Sequence, residues 1–232
     1  MNPKDFLYSR FPEELFAAEN SNEYLRRVAQ GASIASSKNV IITGLCRNIM
    51  PVLKYTVARI RKTGELFNDY RVLIYENDSN DGTSQALRKY FQNDNKTTLA
   101  QETTGVPMFS KTRELDRPRY LAGLRNISFE GVRLLNKFFP ADYIIVVDLD
   151  LEGGWSYDGI RHSFSYDNWS AITANGLEYV DATYVGTDGT AFLSTNHSSM
   201  TLGLGETLIQ RWEMYQNPLR LMSSALVEAK NP

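Results

Sequence analysis

The sequence predicts an α/β domain: a mostly parallel sheet flanked by helices. Three observations carry that expectation. Short apolar, β-branched runs alternate with longer stretches of helical period. Those runs are apolar at successive rather than alternate positions, as strands covered on both faces are. Three of them also lead directly into polar clusters: Leu45-Cys-Arg-Asn48, Glu76-Asn-Asp-Ser-Asn-Asp-Gly-Thr83 and Asp148-Leu-Asp150.

Taken in order, residues 4 to 30 carry Phe6, Leu7, Phe11, Leu15, Phe16, Tyr24, Leu25 and Val28 with helical spacing. Residues 1–38 are therefore read as a helical extension that ends in a Ser- and Ala-rich linker, Gly31 to Lys38. Val40 to Gly44 predicts the first strand. Asn48 to Thr63 predicts a helix, with Pro51 in its first turn and Gly64 at its end. Tyr70 to Tyr75 predicts the second strand, Asn77 to Thr83 a polar turn, and Ser84 to Phe91 a short helix. Residues 92–117 are polar and predict one irregular strand within a loop. The longest helix is expected from Arg119 to Phe138, stopped by Pro140, and Tyr143 to Val147 predicts the strand before Asp148. The main domain is expected over residues 39–205, with a helical, truncated tail over 206–232.

Composition narrows the function. The chain has 232 residues, 42% of them hydrophobic, and a net charge of −2. That balance gives no electrostatic footprint for nucleic acid or an anionic membrane. No run of about 18 apolar residues predicts a membrane span, and the N-terminus lacks the plan of a signal peptide. With Cys46 as its one cysteine the chain forms no internal disulfide, which suits a reducing, cytoplasmic setting. One of its glycosylation sequons, at Asn77, falls inside a candidate site, where a glycan would block binding.

In a parallel sheet all strand carboxyl ends share one edge, and ligands bind outside it. The three polar clusters therefore converge on one cleft from strand direction alone. Asp148 and Asp150, at i and i+2, leave their strand on the same side, roughly 7 Å apart at the backbone. Two carboxylates at an apolar rim repel unless a cation lies between them, and Mg²⁺ or Mn²⁺ takes one or two such groups and leaves its other positions to phosphate and water. Glu76 and Asp78 alternate in the same way and suit hydrogen bonds to a ribose hydroxyl or a base N–H, while Asp78 and Asp81 also suit Asx turns. Arg125 sits on the stripe Leu121, Arg125, Ser128, Val132, Leu135, where an apolar residue is expected; its guanidinium suits a diphosphate, with Arg47 a second candidate. His162 and His197 have no partner at metal-ligand spacing.

Together, the strand followed by Arg47-Asn48, the string Glu76-Asn-Asp-Ser-Asn-Asp-Gly-Thr83, the helix with Leu121-Ala-x-x-Arg-Asn126, and Asp148-Leu-Asp150 resemble GT-A-fold (Rossmann-like) glycosyltransferases. Within that group they resemble the fungal capsule-associated mannosyltransferases and their bacterial and viral relatives, over residues 39–181. The resemblance implies that Asp148, Leu149 and Asp150 form the DxD motif that binds the metal and the nucleotide-sugar diphosphate. It implies a nucleotide-sugar pocket with Leu45, Arg47, Asn48, Glu76, Asp78, Asp81 and Arg125. It also implies acceptor contacts from the segment around Trp169 and Asn175.

The implied activity is metal-dependent hexose transfer, favouring GDP-mannose as donor and a glycan as acceptor. An inverting enzyme needs a carboxylate base, for which Asp158 and Asp181 are both candidates; a retaining enzyme needs none. Trp155, like Trp169, is a candidate for stacking on a sugar. Two alternatives stand beside this reading. One is a nucleotide-sugar-binding protein without turnover. The other is a sugar-phosphate nucleotidyltransferase, disfavoured because Thr43 to Met50 contains one glycine instead of a Gly-rich phosphate loop.

Overall fold

The computed structural model describes residues 21–106, 116–151, 154–172, 177–180, 183–186 and 224–228. Helix α1 (Ser21–Ala35) leads into β1 (Asn39–Cys46), α2 (Met50–Gly64), β2 (Asp69–Asn77), α3 (Thr83–Phe91), β3 (Thr97–Glu102), α4 (Asp116–Asn136) and β4 (Tyr143–Val147). There follow α5 (Tyr157–Ser163), β5 (Ala171–Ile172), the pair β6 (Leu177–Val180) and β7 (Thr183–Gly186), and β8 (Ser224–Glu228).

Six strands form one sheet in the order β3-β2-β1-β4-β8-β5. The first four are mutually parallel, with Val40 beside both Tyr70 and Tyr143. β8 runs antiparallel to β4 and to β5. The chain builds outward from β1 through β2 to β3, then returns to β1's other side for β4. That reversal makes the β1/β4 junction a topological switch point, where the loops diverge and a crevice opens. The fold is thus α/β and Rossmann-like, a four-stranded parallel sheet flanked by helices.

Consecutive apolar residues form these strands because both faces are covered. Val40, Ile42, Val72, Ile74, Ile145 and Val147 pack with Val52, Leu53, Val57 and Ile60 of α2 and with Leu87 and Phe91 of α3. Ile41 and Leu73 point the other way and pack with Val132 of α4. At about 1.5–3 kcal/mol for each fully buried aliphatic side chain, this two-sided burial is the main force holding the sheet. The end of β4 and the residues after it press closely on β1 at Gly44. A Cβ there would lie 2.4 Å from the Val147 carbonyl oxygen and 2.7 Å from Leu149 Cγ.

Several boundaries differ from the sequence expectation. α1 continues through Gly31, where a Cβ would meet the Arg161 carbonyl at 1.7 Å, so the stretch read as linker is helical as far as Ala35. β1 and β2 run two residues further than expected, because parallel pairing continues to Cys46↔Glu76. β3 is a regular six-residue strand. Residues 224–228, in the range read as a helical tail, form β8 instead and occupy the edge that β4 would otherwise leave unpaired. The segment 4–20 lies outside the described residues.

Candidate functional site

A cleft of about 750 Å³ opens at the carboxyl ends of β1, β2 and β4. Leu45, Cys46 and Arg47 line it from β1 and its loop, Asn77 from β2, and Asp148 and Asp150 from the end of β4. α4 supplies the remaining wall with Arg117, Pro118, Tyr120, Leu121, Leu124 and Arg125.

The β1 and β2 loops are locked together. Asn48, at φ 56, donates its backbone N–H to Ser79 Oγ (2.9 Å), and its side-chain oxygen accepts from Asn80 N–H (2.8 Å). Asp81 accepts from Met50 N–H (3.0 Å) at the start of α2, and from the N–H and hydroxyl of Thr83 (2.9 and 2.6 Å). Partial burial raises the Asp81 pKa, but those hydrogen bonds outweigh it and hold the group below the ordinary carboxylate value. Glu76 is buried, accepting from Ser79 N–H (3.0 Å) and Gln101 Nε2 (3.3 Å). Asp78, at φ 54, accepts from the N–H and hydroxyl of Thr104, from Asn77 Nδ2 and from Gly105 N–H, which bring its pKa to about 2.

The opposite wall is looser. Arg125 approaches Asp148 at 3.5 Å, with 48% and 63% of the two side chains exposed, so the pair is weak. Asp150 is open to the cleft but crowded by protein on its other sides. Lost hydration pushes its pKa upward, the Asp148 charge adds to that, and Arg117 pulls the other way. Arg47 donates Nη1–H to the Val106 carbonyl (2.9 Å), while its buried Nε has no partner among the described residues. Burial, then the charges of Glu76, Asp150 and Asp81, raise the Cys46 pKa and keep the thiol protonated, so it is no nucleophile.

Of the residues singled out from the sequence, Leu45, Arg47, Arg125, Asp148 and Asp150 meet around this cleft. Asn48, Glu76, Asp78 and Asp81 are not among the residues that line the cleft; their side chains accept from the backbone N–H groups of Asn80, of Ser79, of Thr104 and Gly105, and of Met50 and Thr83. Leu149 is 1% exposed and packs in the core, its carbonyl accepting from Thr56 Oγ1 (3.0 Å). Trp155 is also 1% exposed and donates its indole N–H to Thr63 Oγ1 (2.8 Å), so it has no ring face to offer a sugar. Trp169 is half-buried against Tyr143 and donates to the Tyr166 carbonyl. Asp158 pairs with Arg161 at 2.9 Å. Asn175 and Asp181 lie outside the described residues.

Sequence reasoning missed Arg117, Tyr120 and Asn77. Starting the helix at Arg119 hid Arg117. Pro118 was the available signal, since proline fits the first turn of a helix and would have moved the start back to Asp116.

Among the described residues no three His, Cys, Asp or Glu side chains cluster as a metal site. The Asp148–Asp150 pair still fits a hard divalent cation bound together with phosphate, which needs few protein ligands. Lost hydration first, and the Asp148 charge second, disfavour the ionised Asp150, and a cation bound beside it would offset both.

Fold and cleft together define a Rossmann-like α/β protein with a polar crevice at its switch point. No protein-family model matches the chain, and no curated protein matches it. Among solved structures it is similar to the mannosyltransferase PcManGT from Pyrobaculum calidifontis in complex with GDP-Man and Mn²⁺, at 11% identity and a TM-score of 0.37. That similarity covers 66% of this chain and 44% of the other, so the chain spans less than half the neighbour's length. A likeness at that level assigns no activity. Among the described residues, no helix is long and apolar enough to cross a membrane.

Proposed function

We propose that the chain is a metal-dependent glycosyltransferase that moves a hexose, mannose in the favoured case, from a nucleoside-diphosphate donor to a hydroxyl of a glycan acceptor. One observation carries this reading: Asp148, Asp150, Arg47, Arg117 and Arg125 line a single cleft at the sheet's switch point. Three guanidiniums against two carboxylates leave the lining with a surplus positive charge before any metal binds, which suits an anionic ligand. GDP-mannose is the favoured donor.

In this reading Asp148 and Asp150 hold Mn²⁺ or Mg²⁺, which when bound neutralises charge on the diphosphate. The remaining work belongs to the chain. Arg125 and Arg117 reach the cleft from one helix face and donate hydrogen bonds to phosphate oxygens as the leaving group gains charge. Arg47, held by its Nη1–H on the Val106 carbonyl, adds a third positive charge to the same lining. Leu149, between the two acids, anchors them by packing in the core. If the reaction inverts, Asp181 is the candidate base, because Asp158 is engaged with Arg161 and does not line the cleft.

The test is release of GDP from GDP-mannose in the presence of Mn²⁺. Asp150→Ala is expected to lower the rate by about 10²–10³-fold, the usual cost of losing one group that stabilises a developing charge. Release that survives both chelation and this substitution rules out the metal-dependent mechanism. Donor binding without release identifies a binding protein instead.

A further inference from the structure

The structure assigns Asn77 as the residue that reads the nucleoside, its carbonyl oxygen accepting a hydrogen bond from a donor group of the ligand. This rests on the nucleotide-sugar reading above and names a residue within that site. The two carboxylates flanking Asn77 are spent on the protein's own backbone. Glu76 serves Ser79 and Gln101, and Asp78 serves Thr104 and Gly105. Neither lines the cleft. Asn77 does, although only 2% of it is exposed.

The orientation of its amide follows from its neighbours. Asn77 Nδ2 lies 2.9 Å from Asp78 Oδ2 and 3.1 Å from Tyr120 Oη. An ionised carboxylate only accepts, so the amide nitrogen must face it; turned over, the amide would set its oxygen against a negative charge. The Tyr120 hydroxyl is held in turn by Thr104 Oγ1 at 3.1 Å. Both amide N–H groups are therefore committed, and the polar atom left for the cleft is an acceptor. Its complement on a nucleoside diphosphate is a ribose hydroxyl or a base N–H.

Calorimetry on the full chain tests this with Mn²⁺ and three kinds of probe: GDP, its 2′- and 3′-deoxy analogues, and two fragments, ribose 5-diphosphate and pyrophosphate. Asn77→Ala and the near-isosteric Asn77→Leu are both expected to bind GDP about tenfold more weakly, the scale of one hydrogen bond, with pyrophosphate affinity unchanged. If a ribose hydroxyl is the donor, a deoxy analogue loses that factor against the parent chain. If the base N–H is the donor, the deoxy analogues bind like GDP and ribose 5-diphosphate loses it. In the first case the variants no longer distinguish that deoxy analogue from GDP; in the second, they bind ribose 5-diphosphate as tightly as the parent chain does. Unchanged GDP affinity in both variants overturns the assignment and leaves the transferase reading standing. Equal losses for GDP and pyrophosphate also overturn it, because Asn77 would then only be shaping the cleft. A parent chain that binds none of the probes removes both readings together.

Discussion

The two walls of the cleft solve opposite problems. The wall built by the β1 and β2 loops is self-sufficient: Asn48, Ser79, Asn80, Asp81 and Thr83 satisfy one another, and the Asp78 and Asp81 carboxyls sit below their ordinary pKa. The wall built by α4 and the end of β4 is unfinished. Its Arg125–Asp148 ion pair is long and exposed, and Asp150 is pushed the other way. The difference separates scaffold from working charge: acids already satisfied by the protein stabilise it, and acids left short of partners have charge to give a ligand.

The harshest way to break the comparison is at Gly44, where both walls meet. Gly44→Val forces a side chain into space held by Val147 and Leu149 and is expected to cost about 3 kcal/mol. A melting temperature lower by roughly 6–12 °C is the expected reading, and an unchanged one would mean that the β1–β4 crossing is looser than described.

Acid titration sharpens it. For Asp78 the folded pKa is depressed to about 2, so the unfolded chain binds more protons as pH falls below about 4. Its stabilisation is therefore present at neutral pH and is lost toward pH 2. For Asp150 the folded pKa is raised, so ionisation at neutral pH subtracts stability and acidification restores it. In chelator, Asp78→Asn should lower the melting temperature at pH 7, and Asp150→Asn should raise it. Both differences should shrink in acid. Shifts of the same sign at pH 7 would erase the distinction between the walls. Asp81→Ala belongs with Asp78 and should cost about 1 kcal/mol through the lost contact at the start of α2.

The smallest effect is expected at Arg125. Without ligand, Arg125→Met should change stability by less than about 1 kcal/mol, since its pairing with Asp148 is exposed. A larger loss in a denaturant titration would make Arg125 part of the scaffold.

What the sequence revealed follows from how local each determinant is. The strands were legible because Val40, Ile41 and Ile42 are apolar in succession, and the cleft because strand direction gathers their polar ends. The string from Glu76 to Thr83 marked the end of β2, but not which of its side chains lines the cleft. That depends on Thr104 and Tyr120, brought beside β2 from elsewhere in the chain. Trp155 looked like a sugar platform because composition does not reveal that Thr63 waits for its indole N–H beneath the surface. β8 was illegible as a strand because its partner, β4, lies far back in the sequence, and a short apolar run does not tell helix from strand.

That distant pairing has a consequence for how the protein is made. During synthesis the strand that delivers the two acids must wait, one flank open, until the ribosome has added residues 224–228. Nascent chains released before that point would expose an unpaired strand edge next to the polar cleft. Chaperone demand should therefore fall once β8 emerges.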